Sequence, residues 1–128
     1  MIVDLNTEEI LATDFGSGNE HDFQLFKRSH CNISRETYVL ADAGYQGLLK
    51  LHPNSQTPVK KSKLHPLSQE QKTSNRASSR KRILVENIIR RLKIFRILSE
   101  RYRNRRKRFG LRFNLIAAIC NMQLKTVR

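Results

Sequence analysis

An amphipathic helix is the feature of this sequence that most constrains its fold. Apolar residues recur from Arg80 to Arg101 at helical spacing, and at about 100° per residue they gather on one arc. The arc consists of Val85, Ile88, Leu92, Phe95 and Leu98, and the opposite side carries Arg82, Glu86, Arg90 and Lys93. One face is therefore predicted to pack on a core, while the other stays charged and exposed.

Glu86 is an acid in the middle of this strongly basic stretch. A carboxylate beside Arg82 and Arg90 is unusual on a solvated face, and it suits a place where a metal ion and a nucleic-acid phosphate meet. The alternative is an i,i+4 salt bridge between Glu86 and Arg82 or Arg90. The pattern leaves both interpretations open.

Charge is distributed unevenly along the chain of 128 residues, whose net charge is +14. Residues 1–60 contain 5 Lys or Arg and 8 Asp or Glu, whereas residues 61–128 contain 20 and 3, so the two parts carry −3 and +17. Many cations on one surface gain affinity for a polyanion by releasing counterions from phosphates. The composition therefore indicates a nucleic-acid partner.

Composition also argues against several classes of protein. No apolar run approaches the roughly 20 residues of a membrane span, and the first residues lack the basic-then-apolar order of a signal peptide. Cys31 and Cys120 are isolated and are expected to be ordinary thiols. His30, His52 and His65 lack metal-ligand spacing, which argues against a zinc site. The chain is expected to be cytoplasmic, with no membrane partner.

Residues 1–50 predict a β-hairpin, a short helix and a strand within one domain. Ile2–Val3 and residues 10–12 flank a polar turn, as the two strands of a hairpin do. Phe23 and Phe26 stand at helical spacing after a glycine-rich loop.

The strand expected next ends at Asp42. Residues 37–41 are rich in β-formers, and Gly44 and Gly47 permit a sharp turn around Tyr45 directly after Asp42. Asp42 is thus predicted at the tip of a strand.

The remainder predicts a loop-rich connector over residues 51–67 and a basic helical part over residues 68–128 that carries Glu86. In the connector, Thr57–Val59 is the one extended piece expected. Ser68 and Gln71 fit a capping box, which predicts a helix start separate from the longer helix near Arg80. After a loop at Phe109–Gly110, a last helix is expected from Arg112 to about Lys125. Its predicted buried side consists of Leu115, Ile116, Ile119, Cys120 and Met122.

Asp42 and Glu86 are the acids best suited to phosphodiester chemistry. Such chemistry with Mg²⁺ needs carboxylate oxygens that converge from different elements, and a strand tip and a helix can provide them. The alternative for Asp42 is a turn aspartate that accepts hydrogen bonds from backbone amides.

A basic run follows the helix, with six Lys or Arg among the eight residues 101–108. Its basic members are Arg101, Arg103, Arg105, Arg106, Lys107 and Arg108. Like charges this dense repel one another unless an anion relieves them, which favours contact with a DNA backbone over a solvated helix end.

These motifs together resemble the DDE transposases of the insertion-sequence-five type. The run from Asp42 through Gly44 and Tyr45 is similar to their Asp-x-Gly-Tyr turn, which holds the second catalytic aspartate. The residues Arg82, Glu86 and Lys93 are similar to the basic and acidic positions of their Tyr-x-x-Arg-x-x-x-Glu-x-x-x-x-x-x-Lys signature, although position 79 is Ser where the signature has Tyr. Residues 16–22, ending in His21 and Asp22, resemble their Gly-x-x-x-x-His-Asp segment.

The resemblance covers about residues 1–124 and implies a ribonuclease-H-like fold, of the mixed α/β class. It implies that Asp42 and Glu86 are the second and third metal-binding acids, holding Mg²⁺ or Mn²⁺. It further implies that Arg82 and Lys93 contact DNA, to which the helix pattern adds Arg90. His21 and Asp22 would be accessory. The implied chemistry is hydrolysis at a transposon end, followed by attack of the freed 3′-hydroxyl on target DNA.

No residue resembles the first catalytic aspartate of that family, which lies on a strand upstream of the hairpin. Asp4, Asp14 and Asp22 each stand in a different context. The chain is therefore expected to be the C-terminal part of a catalytic domain, truncated at its N-terminus, and inactive alone.

The expected function is that of a transposase fragment, nucleoid-associated, with DNA as its partner. Full-length transposase or a second copy of the chain would be a further partner. The alternatives are a non-catalytic basic nucleic-acid-binding module and an inhibitor of the full-length enzyme.

Overall fold

The computed structural model describes residues 1–101, 103 and 106–127. Within them the chain forms two compact units. The first unit consists of Met1–Phe15 and Lys81–Arg128, and the second of Gly16–Arg80. No helix among the described residues is long and apolar enough to cross a membrane.

Helices and short strands alternate along the described chain, which gives a mixed α/β fold. The strands are β1 Ile2–Val3, β2 Ile10–Ala12, β3 Val39–Leu40 and β4 Ser55–Gln56. The helices are α1 Asp22–Arg28, α2 Leu48–Leu51, α3 Gln69–Lys93, α4 Arg96–Ser99 and α5 Phe109–Val127, and single 3-10 turns cover Ala43–Tyr45 and Arg106–Arg108.

The predicted hairpin at the start of the first unit is confirmed. β1 and β2 pair antiparallel, with Ile2 opposite Ala12 and Val3 opposite Ile10. The Asp4 carboxylate accepts a hydrogen bond from the Asn6 N–H at 2.7 Å, which stabilises the connecting turn.

The core of the first unit lies where β2, α3 and α5 meet. Its buried members are Ile10, Ile88, Leu92, Ile116, Ala117 and Cys120. Asn121 of α5 also pairs with β2 through its side-chain amide, which accepts from the Ile10 N–H and donates to the Ile10 carbonyl, both at 2.9 Å. Of the predicted apolar arc, Ile88 and Leu92 are confirmed as core residues of α3. The helix ends at Lys93 and not at Arg101, so Phe95 and Leu98 pack against the core from beyond it.

The predicted buried side of α5 is partly wrong. Leu115, Ile119 and Met122 are exposed by 55%, 45% and 68%, while Ile116 and Cys120 are buried as expected. The helix is apolar on two opposite sides, and β2 and α3 cover only one of them. Phe109 and Gly110 belong to the first turn of α5 and not to a loop.

A single helix, α3, replaces the two helices predicted from Ser68 onward. The capping box is confirmed, because the Ser68 N–H donates to Gln71 Oε1 at 3.0 Å and the Gln71 N–H donates to Ser68 Oγ at 3.2 Å. No Gly or Pro interrupts residues 69–93, so the helix that starts at the box continues unbroken to Lys93.

In the second unit, β3 pairs parallel with β4, Val39 opposite Ser55 and Leu40 opposite Gln56. The extended segment of the connector therefore begins at Ser55, two residues before the predicted Thr57–Val59. α1 confirms the short helix predicted around Phe23 and Phe26.

Candidate functional site

Asp42 lies at the start of the turn that follows β3. Its side chain accepts a hydrogen bond from the backbone N–H of Ala43 and so caps the 3-10 turn. This is the backbone role that the sequence offered as an alternative. A carboxylate has more acceptor positions than one N–H uses, and Asp42 is exposed.

Tyr45 connects the Asp42 turn to α1. Its ring centroid lies 6.2 Å from the ring centroids of both Phe23 and Phe26, with the rings nearly perpendicular. Burial raises the pKa of the Tyr45 phenol above its ordinary value of 10.0, and the charges of Asp22 and Asp42 raise it further. Both carboxylates therefore lie close enough to the phenol to act on it.

His21 caps α1 at the same place. Its Nδ1 accepts a hydrogen bond from the Phe23 N–H at 3.4 Å, which is a helix-capping role. A β-carbon on Gly44 would lie 4.0 Å from His21 Cε1. The structure thus brings the His21–Asp22 segment beside the Asp42–Tyr45 turn.

The turn itself depends on one glycine conformation. Gly47 has φ of +95°, in the left-handed region that side chains disfavour, and it starts α2. A β-carbon there would also meet the Phe23 ring at 3.6 Å. Gly44 has no such φ, and its distance from His21 would accommodate a β-carbon at ordinary van der Waals contact.

Glu86 lies in the middle of α3, in the first unit, whereas Asp42 lies in the second. Glu86 is exposed, and within the described part of the chain it forms no hydrogen bond or ion pair. The i,i+4 salt bridge with Arg90 that the pattern allowed is therefore not formed.

The oxygen donors fit Mg²⁺ by their chemistry, because Asp42 and Glu86 are exposed carboxylates. Across residues 1–101, 103 and 106–127, no group of three or more His, Cys, Asp or Glu side chains could hold a metal ion. Asp42 and Glu86 are therefore each a suitable ligand by their chemistry, but the described residues do not form a complete metal site.

The predicted DNA-binding residues are mostly exposed. Arg90 and Lys93 are exposed on α3, and Arg82 is half-buried there. Arg101, Arg103, Arg106, Lys107 and Arg108 are exposed as well. Arg105, also predicted to bind DNA, lies outside the described residues.

Among the exposed cations on α3 that the sequence prediction did not select, Lys72, Arg76 and Arg80 recur at every fourth residue. Their spacing of four residues and the lack of any acid between Glu70 and Glu86 could have indicated them.

A cavity of about 320 Å³ lies in the second unit between α1, β3 and α2. Its rim includes the basic side chains Lys27, His30 and Arg35. Asp42 does not line this cavity, which is therefore distinct from the turn described above.

The family comparison and the comparison with a known relative agree on one family. The family described as "Transposase DDE domain" matches residues 1–121. A relative from Microchaete diplosiphon, "Probable transposase for insertion sequence element IS702", is 51% identical over 124 residues, which cover 97% of this chain and 45% of the relative. The chain thus spans less than half the length of that relative. No solved structure matches the chain.

Proposed function

The chain belongs to the transposase DDE domain family, and from this premise we propose that it acts on DNA in the transposition of an insertion sequence. The observation that carries the proposal is the position of Asp42, exposed in an Asp-x-Gly-Tyr turn directly after a strand. Action on DNA would place the chain at the nucleoid.

The proposed fold is ribonuclease-H-like. The mixed order of strands and helices, the parallel pair β3–β4 and the place of Asp42 after β3 support it. The location of Glu86 on the later helix α3 supports it too.

Asp42 and Glu86 are the proposed metal-binding acids. DDE transposase domains in general depend on a divalent metal, and hard carboxylate donors favour Mg²⁺ or Mn²⁺. The bound metal would polarise a phosphoryl oxygen and generate the attacking hydroxide. Arg82 and Lys93, on the same helix as Glu86, would position the phosphodiester by contacting its neighbouring phosphates.

This chain would contribute two of the three acids of a DDE site, because no residue matches the first one. We therefore propose that a complete DDE site needs a further aspartate from a transposase polypeptide besides Asp42 and Glu86. The exposed apolar side of α5, with Leu115 and Met122, is consistent with contact to another polypeptide of that kind or to a second copy.

Titration calorimetry with Mg²⁺ or Ca²⁺ in the presence of duplex DNA tests the metal site. We expect metal binding by the unaltered chain to weaken at least tenfold in Asp42→Ala and in Glu86→Gln, because each change removes one hard donor. Glu100→Gln is the matched control, since Glu100 is an exposed acid of the same basic region.

The same titration separates the proposal from its alternative. If both site variants bind the metal as the unaltered chain does, while DNA binding persists, the chain is a non-catalytic nucleic-acid-binding module. If Glu100→Gln weakens binding as much as the site variants do, the metal interacts with general negative charge and the site assignment is wrong.

A further inference from the structure

Three cations form a stripe along the part of α3 that belongs to the second unit. Lys72, Arg76 and Arg80 recur at every fourth residue, so at about 100° per residue they fall within an arc of about 80°. All three are exposed. We call them the outer stripe.

Hydrogen bonds to the connector fix this helical segment on one flank of the stripe, at Asn75, and on the side opposite it, at Ser74. The Asn75 amide accepts from the Val59 N–H and donates to the Val59 carbonyl, both at 3.0 Å. The Gln56 amide donates to Ser74 Oγ at 2.9 Å, and Ser78 is buried. Because these contacts prevent the segment from rotating about its axis, the outer stripe is held toward solvent.

The outer stripe has no internal counter-charge. No Asp or Glu occurs between Glu70 and Glu86. Within the described residues, none of the three cations forms an ion pair with a carboxylate. Like charges four residues apart on a helix repel one another, so an external anion that binds along the stripe would relieve the repulsion.

We propose that the outer stripe binds the phosphate backbone of one DNA strand. The stripe is about 12 Å long at 1.5 Å per residue, and phosphates of one strand advance about 3.4 Å per nucleotide, so it spans about three to four nucleotides. The contact positions the DNA and reads no sequence. The inference rests on the proposed function and extends its DNA surface to residues that precede the Arg82–Lys93 signature.

The test compares two triple variants of the whole chain that lose the same charge. Lys72→Gln with Arg76→Gln and Arg80→Gln removes the outer stripe, and Gln keeps helix propensity high. Lys60→Gln with Lys61→Gln and Lys63→Gln is the control, because these exposed lysines lie in the connector. Fluorescence anisotropy with a labelled duplex, between about 50 and 200 mM salt, measures affinity and its dependence on salt.

The expected result is that the slope of log affinity against log salt becomes shallower by about 2 to 3 in the stripe variant and by less than about 1 in the control. Equal changes in the two variants, or an unchanged slope in the stripe variant, would overturn the inference while leaving DNA binding intact. Absence of DNA binding by the unaltered chain would overturn the proposed function as well. If the stripe variant loses affinity for poly-glutamate as strongly as for the duplex, the stripe is a general anion surface and the DNA assignment is wrong.

Discussion

At the scale of single residues, the Asp42 turn was predictable because its chemistry is local. A strand of β-formers followed by an acid and two glycines indicates a turn from a few neighbouring positions. The contact of Tyr45 with Phe23 and Phe26 was not predictable, because it joins residues about 20 positions apart and depends on the packing of α1. The same holds for the proximity of Asp22 and Asp42 to that phenol.

The ionisation of Tyr45 offers a prediction at this scale. Burial and the charges of Asp22 and Asp42 raise the pKa of Tyr45 in the folded chain. The protonated phenol therefore contributes to the stability of the folded state in full below the unfolded pKa of 10.0, and this contribution is lost as pH rises through the folded pKa. We expect one phenolate component of the absorbance at 295 nm to appear above pH 10 and to be lost in Tyr45→Phe, while the other two tyrosines of the chain still contribute their own signals. Asp42→Asn should move that signal to lower pH. If the signal does not move in Asp42→Asn, the Asp42 charge does not act on the phenol.

At the scale of elements, the periodicity of the sequence predicted the presence of helices more reliably than it predicted which side of each helix is buried. The sequence of α3 has one apolar arc, so its core face followed directly from the pattern. The sequence of α5 has apolar residues on opposite sides, and only the placement of β2 and α3 decides that Ile116 and Cys120 are buried and Leu115 is not. Which side of α5 is buried depends on tertiary packing, and the periodicity of the sequence carries no information about that packing.

Two isoleucines of α3 provide the prediction for this scale. Ile88 is 3% exposed and belongs to the core, whereas Ile83 is 55% exposed on the same helix. Ile88→Ala should lower the free energy of unfolding by about 2–4 kcal/mol, because it removes transfer energy and leaves a cavity. Ile83→Ala should lower it by less than about 1 kcal/mol. Urea unfolding measures both changes, and similar values for the two would contradict the position of the α3 core face.

At the scale of the whole molecule, composition indicates a polyanionic partner but does not indicate the arrangement of the chain. The excess of 17 positive charges in residues 61–128 is visible in the sequence. The division into one unit that combines Met1–Phe15 with Lys81–Arg128 and another formed by Gly16–Arg80 depends on contacts between distant segments. Sequence motifs mark Asp42 and Glu86 without indicating that they belong to different units.

The prediction for the whole molecule concerns activity. We expect the purified chain, with Mg²⁺ or Mn²⁺ and the terminal DNA of its insertion sequence, to give no strand transfer, because a DDE site needs three acids and two are matched here. Gel analysis of labelled DNA ends measures the products. Efficient and specific cleavage that disappears in Asp42→Ala would contradict this expectation and assign a complete site to the chain alone.

The paired hydrogen bonds between Asn121 and Ile10 make one backbone amide a reporter of the last helix. The Ile10 N–H can exchange its hydrogen with solvent when α5 leaves β2, even while the hairpin stays closed. The Asp4 N–H, bonded to the Glu9 carbonyl at 2.9 Å, is instead released by opening of the hairpin. Two amides six positions apart would therefore exchange at rates set by different opening events, and their comparison would measure how tightly the carboxyl-terminal helix is attached.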